Sequence, residues 1–293
     1  MEESDCVYIC SMGFRKSADM YDLGSGETVE RYQFEHLREG DVLYIKHDAI
    51  RHFSEVIQDI SMVRFVLVSG CSDYTMPDDI FPNEESFLKF VENPRILRWY
   101  VQNCVYTHPK IERLPIGLDY HTMREYAHWG SLKTPIEQER ELVEVVKQGI
   151  SFEGREIAIY SNCHFLTWTK FGGDRKTALA TIPAELLVLE DAPCDRVISW
   201  HRQIKYAFVL SPHGNGLDCH RTWEALILGC IPIVKTSAID SLYDNLPVVI
   251  VKDWSEITRE FLEGVVADFK GRTFQYEKLT LEYWRSRMRN ERL

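Results

Sequence analysis

The sequence predicts an α/β protein of two units, each with a mainly parallel sheet. Three observations carry this. Short apolar runs alternate with segments of helical spacing along the whole chain. At 293 residues the chain exceeds one average domain. An apolar run, Tyr206 to Leu210, feeds a two-glycine turn, a helical segment and a second apolar run, Ile231 to Val234. Strand, glycine loop, helix and strand in that order place ligand chemistry at the carboxyl end of a parallel sheet.

Residues 5–12 read as a first strand and Gly13 to Gly26 as a polar loop able to reach a ligand. Asp41 to Lys46 is a strand after a Gly-Asp turn. His52 to Ile60 fits a short helix, because Phe53, Val56, Ile57 and Ile60 share helical spacing. Arg64 to Ser69 is continuously apolar, as strands buried on both faces are, and ends in the polar loop Gly70 to Asp79. Phe87 to Val91 reads as helix; Ile96 to Cys104 and Ile111 to Asp119 are strand-like. Lys133 to Ile150 carries a Thr134-Pro-Ile-Glu capping pattern and an amphipathic helix. A boundary near 145–155 divides a first domain, 1–150, from a second, 151–293. The second has strands at Glu156–Tyr160, Leu186–Leu189, Tyr206–Leu210, Ile231–Val234 and Val248–Val251, and a final basic helix at 278–293.

Composition is that of a soluble globular chain, 45% hydrophobic and 27% charged. A formal net charge of -11 argues against nonspecific nucleic-acid binding, which needs a basic surface. The eight cysteines include no CxxC pair and no zinc-ligand spacing, so reduced thiols in a cytosol-like compartment are expected. The acidic start, Met-Glu-Glu-Ser-Asp, has no signal-peptide pattern, and no apolar run approaches the roughly 20 residues of a membrane span. No integral membrane segment is expected.

The glycine turn lies within Ser211-Pro-His-Gly-Asn-Gly-Leu-Asp-Cys-His-Arg-Thr-Trp-Glu224. His213, Gly214, Asn215 and Gly216 let backbone N–H groups approach a ligand, and the helix behind them offers a positive dipole end to a diphosphate. His220 is polar and expected near the same cleft. Arg221 can fork onto phosphate oxygens, and Glu224, one turn on, can accept both hydroxyls of a ribose. A tight turn with a surface Arg–Glu pair is the plainer alternative.

The stretch from Leu210 to Val234, with its Arg-x-x-acidic-Ala pattern and the following Gly-Cys-Ile-Pro, resembles the donor-site signature of exostosin-like glycosyltransferases. Leu114-Pro-Ile-Gly-Leu-Asp119 and Asp253-Trp-Ser-Glu256 add to the likeness. The resemblance implies a GT-B fold. That fold implies two Rossmann-like domains facing across a cleft, with nucleotide-sugar in the second, acceptor in the first, and the last helix packing back on the first. It also implies UDP as the nucleotide, with UDP-xylose the guess within that class. A soluble virus-encoded enzyme acting on a capsid glycan in host cytoplasm is one setting that fits. Many such enzymes carry two acidic residues eight positions apart; here Glu224 fills the second place and Gly216 the first, leaving Asp218 and Asp240 as the nearest replacements.

Asn162, Lys170 and Arg175, which follow the strand ending at Tyr160, are expected to support the diphosphate leaving group, although a solvated loop explains them equally well. Ile198, with Pro193, Val197 and Trp200, is expected near the nucleobase. Trp223, Trp254 and Tyr243 are expected in the core. Asp73, just past a buried strand, is the expected general base, against the alternative of an Asx-turn cap. Asp78, Asp79 and Asp119 are its alternatives and the expected acceptor contacts. His164, His213 and His220 lack helix-borne metal spacing, and no Asp-x-Asp pattern is present, so neither metal nor cofactor is expected. The expected activity is inverting transfer of one sugar to a hydroxyl of an oligosaccharide or glycoprotein glycan. A retaining enzyme, a GDP-sugar donor, a phosphorylase or epimerase, and a noncatalytic sugar- or nucleotide-binding protein are the alternatives.

Overall fold

The computed structural model describes residues 2–21, 26–30, 34–59, 62–163, 168–190 and 192–291. Ile60 and His164, both named above, lie outside them, as do residues 22–25 of the first loop and the last two residues of the chain.

Two five-stranded parallel sheets form the molecule. The first contains β1 (Met20–Tyr21), β2 (Val42–Lys46), β3 (Phe65–Gly70), β4 (Ile96–Val101) and β5 (Ile111–Arg113), in the order β1-β2-β3-β4-β5. The second contains β6 (Glu156–Ser161), β7 (Leu187–Leu189), β8 (Tyr206–Leu210), β9 (Ile231–Lys235) and β10 (Val249–Val251), in the order β10-β9-β8-β6-β7. The helices are α1 (Ser11–Ser17), α2 (Ile50–Val56), α3 (Glu84–Val91), α4 (His121–Glu125), α5 (Pro135–Gln148), α6 (Asp174–Thr181), α7 (Arg196–Gln203), α8 (His220–Ile227), α9 (Arg259–Phe269) and α10 (Leu281–Asn290). This is the expected α/β class with two Rossmann-like units.

Side-chain alternation sorts the core into layers, because neighbouring strand residues point to opposite faces. Val42, Tyr44, Val66, Val68 and Tyr100 point to a central core shared with Val209, Trp223 and Leu226 of the second half. Leu43, Ile45, Phe65, Leu67 and Trp99 point to an outer core with α2 and α3. Phe208, Leu210, Ile231 and Ile233 face a third core that holds Trp254. The expectation of Trp223, Trp254 and Tyr243 as core residues is met: all three are buried.

The N-terminal expectation fails. Residues 5–12 form no strand: Tyr8 and Cys10 make isolated bridges, to Thr280 and to Gly117 and Leu118, and the chain then turns into α1. Part of the expected loop is therefore helix. Phe14 of α1 meets Trp284 of α10 edge-on at 6.5 Å, a contact from the far end of the chain that local pattern does not show.

Two elements tie the halves together. α5 starts with the expected Thr134–Glu137 capping box. Its Glu139 accepts the N–H groups of Val7 and Tyr8, both at 2.9 Å, within the first half, and its Gln138 Oε1 accepts from Arg196 of α7 at 3.1 Å, across to the second. α10 packs back on the first half as expected: Arg285 donates to Ser17 Oγ at 2.9 Å, and Arg287 pairs with Glu112 at 3.1 Å. No helix among the described residues is long and apolar enough to cross a membrane. All eight cysteines are free.

Candidate active site

In the second sheet β6 and β8 are parallel neighbours, yet the chain leaves β6 toward β7 and β8 toward β9. Such a reversal of winding opens a crevice outside the carboxyl ends of the two strands. The described residues that follow them, 162–163 with 168–173 and 211–219, are stitched together. Asn215 Oδ1 accepts the N–H of Trp168 at 3.1 Å, and its carbonyl accepts Thr169 Oγ1 at 2.7 Å. Asp174, first residue of α6, accepts the His213 N–H at 3.0 Å and Trp254 Nε1 at 2.8 Å, which fixes the loop to the core.

Three of the expected donor residues meet here. Arg221, in the first turn of α8, donates from Nε to Asn162 Oδ1 at 2.9 Å, and Asn162 donates to Ser199 Oγ at 3.1 Å. Arg175 comes up beneath Gly214: a Cβ at 214 would lie 2.5 Å from its Nη2. A Cβ at Gly216 would lie 2.7 Å from Asn103 Nδ2. The space expected for a ligand above these glycines is thus taken up by an arginine and by the other half of the molecule. Their first role is close packing, against the buried Arg175 and against Asn103.

Glu224 pairs with Arg196 and not with Arg221. Its Oε1 receives Nε at 3.0 Å and Nη2 at 2.9 Å of Arg196. Arg196 also reaches Gln138 Oε1 at 3.1 Å and the carbonyl of Asp119, and its guanidinium lies 5.0 Å from the Trp200 ring centre. Glu224 is buried, and among the described residues its recorded partners all engage Oε1. Ile198 is exposed on α7 while Trp200 is buried beneath it, so the apolar cluster expected at the nucleobase is divided between surface and core.

The candidates for the missing acidic contact are committed elsewhere. Asp218 is buried and accepts Trp223 Nε1 at 2.9 Å, Tyr243 OH at 3.2 Å and, from the first half, the Ile116 N–H at 2.7 Å. Burial pushes its carboxyl up to about 6 despite these donors. Asp240 caps its own turn through Thr236 Oγ1 and the Ser237 N–H.

The first half presents the carboxyl edge of its own sheet to the crevice. Asp73 follows β3, with its carboxyl in reach of the Asn215 side chain; burial holds it above the usual carboxylate range, while Asn215, His220 and Arg175 oppose that rise. His220 directs Nδ1 to the Gly117 carbonyl at 2.6 Å. Gly117 has φ +67, and a Cβ there would meet the Ile9 backbone at 2.6 Å, so only glycine sets this carbonyl. Burial lowers the His220 pKa against the pull of Asp119.

Asp119 is buried and accepts the Thr122 N–H at 2.9 Å, with His121 at 3.1 Å. Burial favours its neutral form, but His220, His121 and Arg196 outweigh it and hold the carboxyl at about 2. It belongs to the network joining the halves and not to an open wall. Lys170 reaches across to Asp79 at 3.5 Å and Asp78 at 3.9 Å instead of toward Arg221. With His213, whose Nδ1 lies 3.0 Å from the Leu217 carbonyl, Lys170 and Asp78 border a cavity of about 560 Å³ between the halves. Lys235, Thr236, Ser237 and Phe171 line it too and were not foreseen; Lys235 closes a strand, and position at a strand's carboxyl end was the available signal. Asp73, Asn162, Arg221 and Glu224 do not line this cavity. Among the described residues no group of three or more His, Cys, Asp or Glu is placed to hold a metal ion.

No family model matches the chain. No curated protein matches it either. Among solved structures it is similar to an α1,3-fucosyltransferase crystallised with GDP-fucose, at 11% identity and a TM-score of 0.39, over 94% of this chain and 95% of that one. A likeness at this level transfers no residue role.

Proposed function

We propose that this chain is a glycosyltransferase of the exostosin-like type, moving one sugar from a nucleotide-sugar, UDP-linked by that resemblance, to a hydroxyl of a glycan. One observation carries the reading. At the reversal between β6 and β8, Arg221 is held by Asn162, Arg175 packs under Gly214, and Asp73 comes from the first half close enough to feel the Arg175 charge. A diphosphate in that crevice meets two guanidiniums and the start of α8, and its ribose meets the Glu224 side.

In the inverting form of the reaction the acceptor oxygen attacks the anomeric carbon. The new C–O bond forms as the bond to the diphosphate oxygen breaks, and the acceptor proton passes to Asp73. The negative charge that grows on the departing diphosphate is met by Arg175 and Arg221, so charge is stabilised by preorganised cations without a metal in the scheme. A raised Asp73 pKa brings the base closer to the operating pH, which favours proton transfer.

Titration with UDP, GDP and their sugars, read by calorimetry and thermal stability, tests this. One nucleotide class is expected to bind wild type and to lose most of its affinity in Arg221→Ala. If no nucleotide binds, the donor reading is wrong. If nucleotide binds but no sugar is ever released or transferred, the chain is a binding protein.

A further inference from the structure

A second cavity, of about 290 Å³, lies away from the crevice, where the end of β5, the turn Asp240–Tyr243 and the helix α10 meet. Three cations line it, and two are bound only to neutral acceptors. Arg113 donates to the Cys104 carbonyl at 3.0 Å, to Ser241 Oγ at 3.2 Å and to Thr107 Oγ1 at 3.3 Å. Lys278 is buried, and its ammonium donates to the carbonyls of Leu242 at 2.9 Å and Asp244 at 2.8 Å. Neither has a carboxylate within ion-pair distance among the described residues. Arg287 is the third; Glu112 pairs with it at 3.1 Å, and Tyr283 OH accepts from it at 3.2 Å. The carboxylates facing the cavity are Glu112, already paired, and Asp244, with Glu277 near Lys278.

A buried ammonium whose direct contacts are all neutral is costly, and burial pulls the Lys278 pKa down against the opposing pull of Asp244, Glu112 and Glu277. An ammonium has three donors and a guanidinium five, so Lys278 and Arg113 both keep hydrogen atoms uncommitted. We infer that this cavity binds a compact tetrahedral oxyanion, phosphate or the phosphate group of a small ester, between Arg113, Lys278 and Arg287. Because the three cations and Ser241 come from the first half, the second half and the terminal helix, the bound anion would join all three.

The test is phosphate binding by the full chain, at constant ionic strength with chloride as the reference. Inorganic phosphate and glycerol phosphate are titrated separately, and tighter binding of one assigns the source. The measurements are made in an Arg221→Gln background, so that phosphate held in the crevice does not contribute. Arg113→Gln and, independently, the more exposed Arg287→Gln are expected to weaken phosphate binding about tenfold or more, as loss of a charge-assisted hydrogen bond does. Absence of phosphate binding in the Arg221→Gln background, or equal binding after both substitutions, overturns the inference. If Arg113→Gln does not fold, Arg287→Gln alone decides. None of these outcomes depends on the glycosyltransferase reading.

Discussion

The first sheet winds in one direction, from β1 to β5, while the second turns back between β6 and β8. Both are all-parallel and buried on two faces, yet only the reversal parts neighbouring loops and leaves a crevice. The loops differ in charge to match. The segments after the strands of the first sheet carry Asp48, Asp73, Asp78 and Asp79; after β6 and β8 of the second come Lys170 on a loop and Arg175 and Arg221 at the starts of α6 and α8. On the proposed function, topology decides where an anionic donor sits, and the opposite sheet supplies the groups that take a proton.

The sharpest break of this division is on the acidic side. Asp73→Asn is expected to lower turnover about 10²–10⁴-fold, the usual worth of a general base, with nucleotide affinity nearly unchanged; equal turnover by the variant removes Asp73 from the role. On the cationic side Arg221→Ala is expected to lower turnover about 10²–10³-fold and to weaken nucleotide binding as well, read by steady-state kinetics and calorimetry. A base and a phosphate ligand are thereby told apart.

Docking of the halves gives a smaller effect. Gly216→Ala is expected to cost about 1–3 kcal/mol in a denaturation curve, through displacement of Asn103, whereas Gly173→Ala, with nothing within 4 Å of the added carbon, serves as the neutral control. Acid sensitivity separates the two buried aspartates. The folded state holds the Asp218 proton up to about 6, above the ordinary 3.8, so the stability from that group is full below the ordinary value and is lost as pH rises through about 6. Asp119, held at about 2, contributes above its ordinary 3.8, and that contribution is lost as pH falls through about 2. Asp218→Asn should flatten the fall in melting temperature between about pH 4 and 6, and Asp119→Asn should flatten the loss on the acid side. The smallest effect belongs to Lys170→Ala. Its ion pair with Asp79 is half exposed and should contribute about 0–1 kcal/mol, less at high salt.

Much of the fold was legible because it is written locally. The uninterrupted apolar runs at β3 and β8 and the Thr134 capping box need no distant partner to be recognised. α1 was missed because its helix depends on Trp284, while the extended apolar pattern before it pairs with residues more than a hundred positions away. The site divides in the same way. Arg221, Asn162 and Arg175 stand beside recognisable strand ends, so position named them. The partner of Glu224 is Arg196, and one partner of Asp218 is the Ile116 N–H of the other half, and neither is visible from the motif. Asp218 looked like a sugar contact only while its surroundings were unknown.

Asn103 adopts a left-handed backbone conformation, φ 49, and holds the Asp218 N–H at 3.0 Å while its amide fills the place of a side chain at Gly216. A side chain at 216 therefore has to displace the Asn103 amide and, with it, the hold on the Asp218 N–H. A carboxylate at 216 calls for a shorter residue at 103, so what the glycine turn can carry is set by packing from the opposite half of the chain.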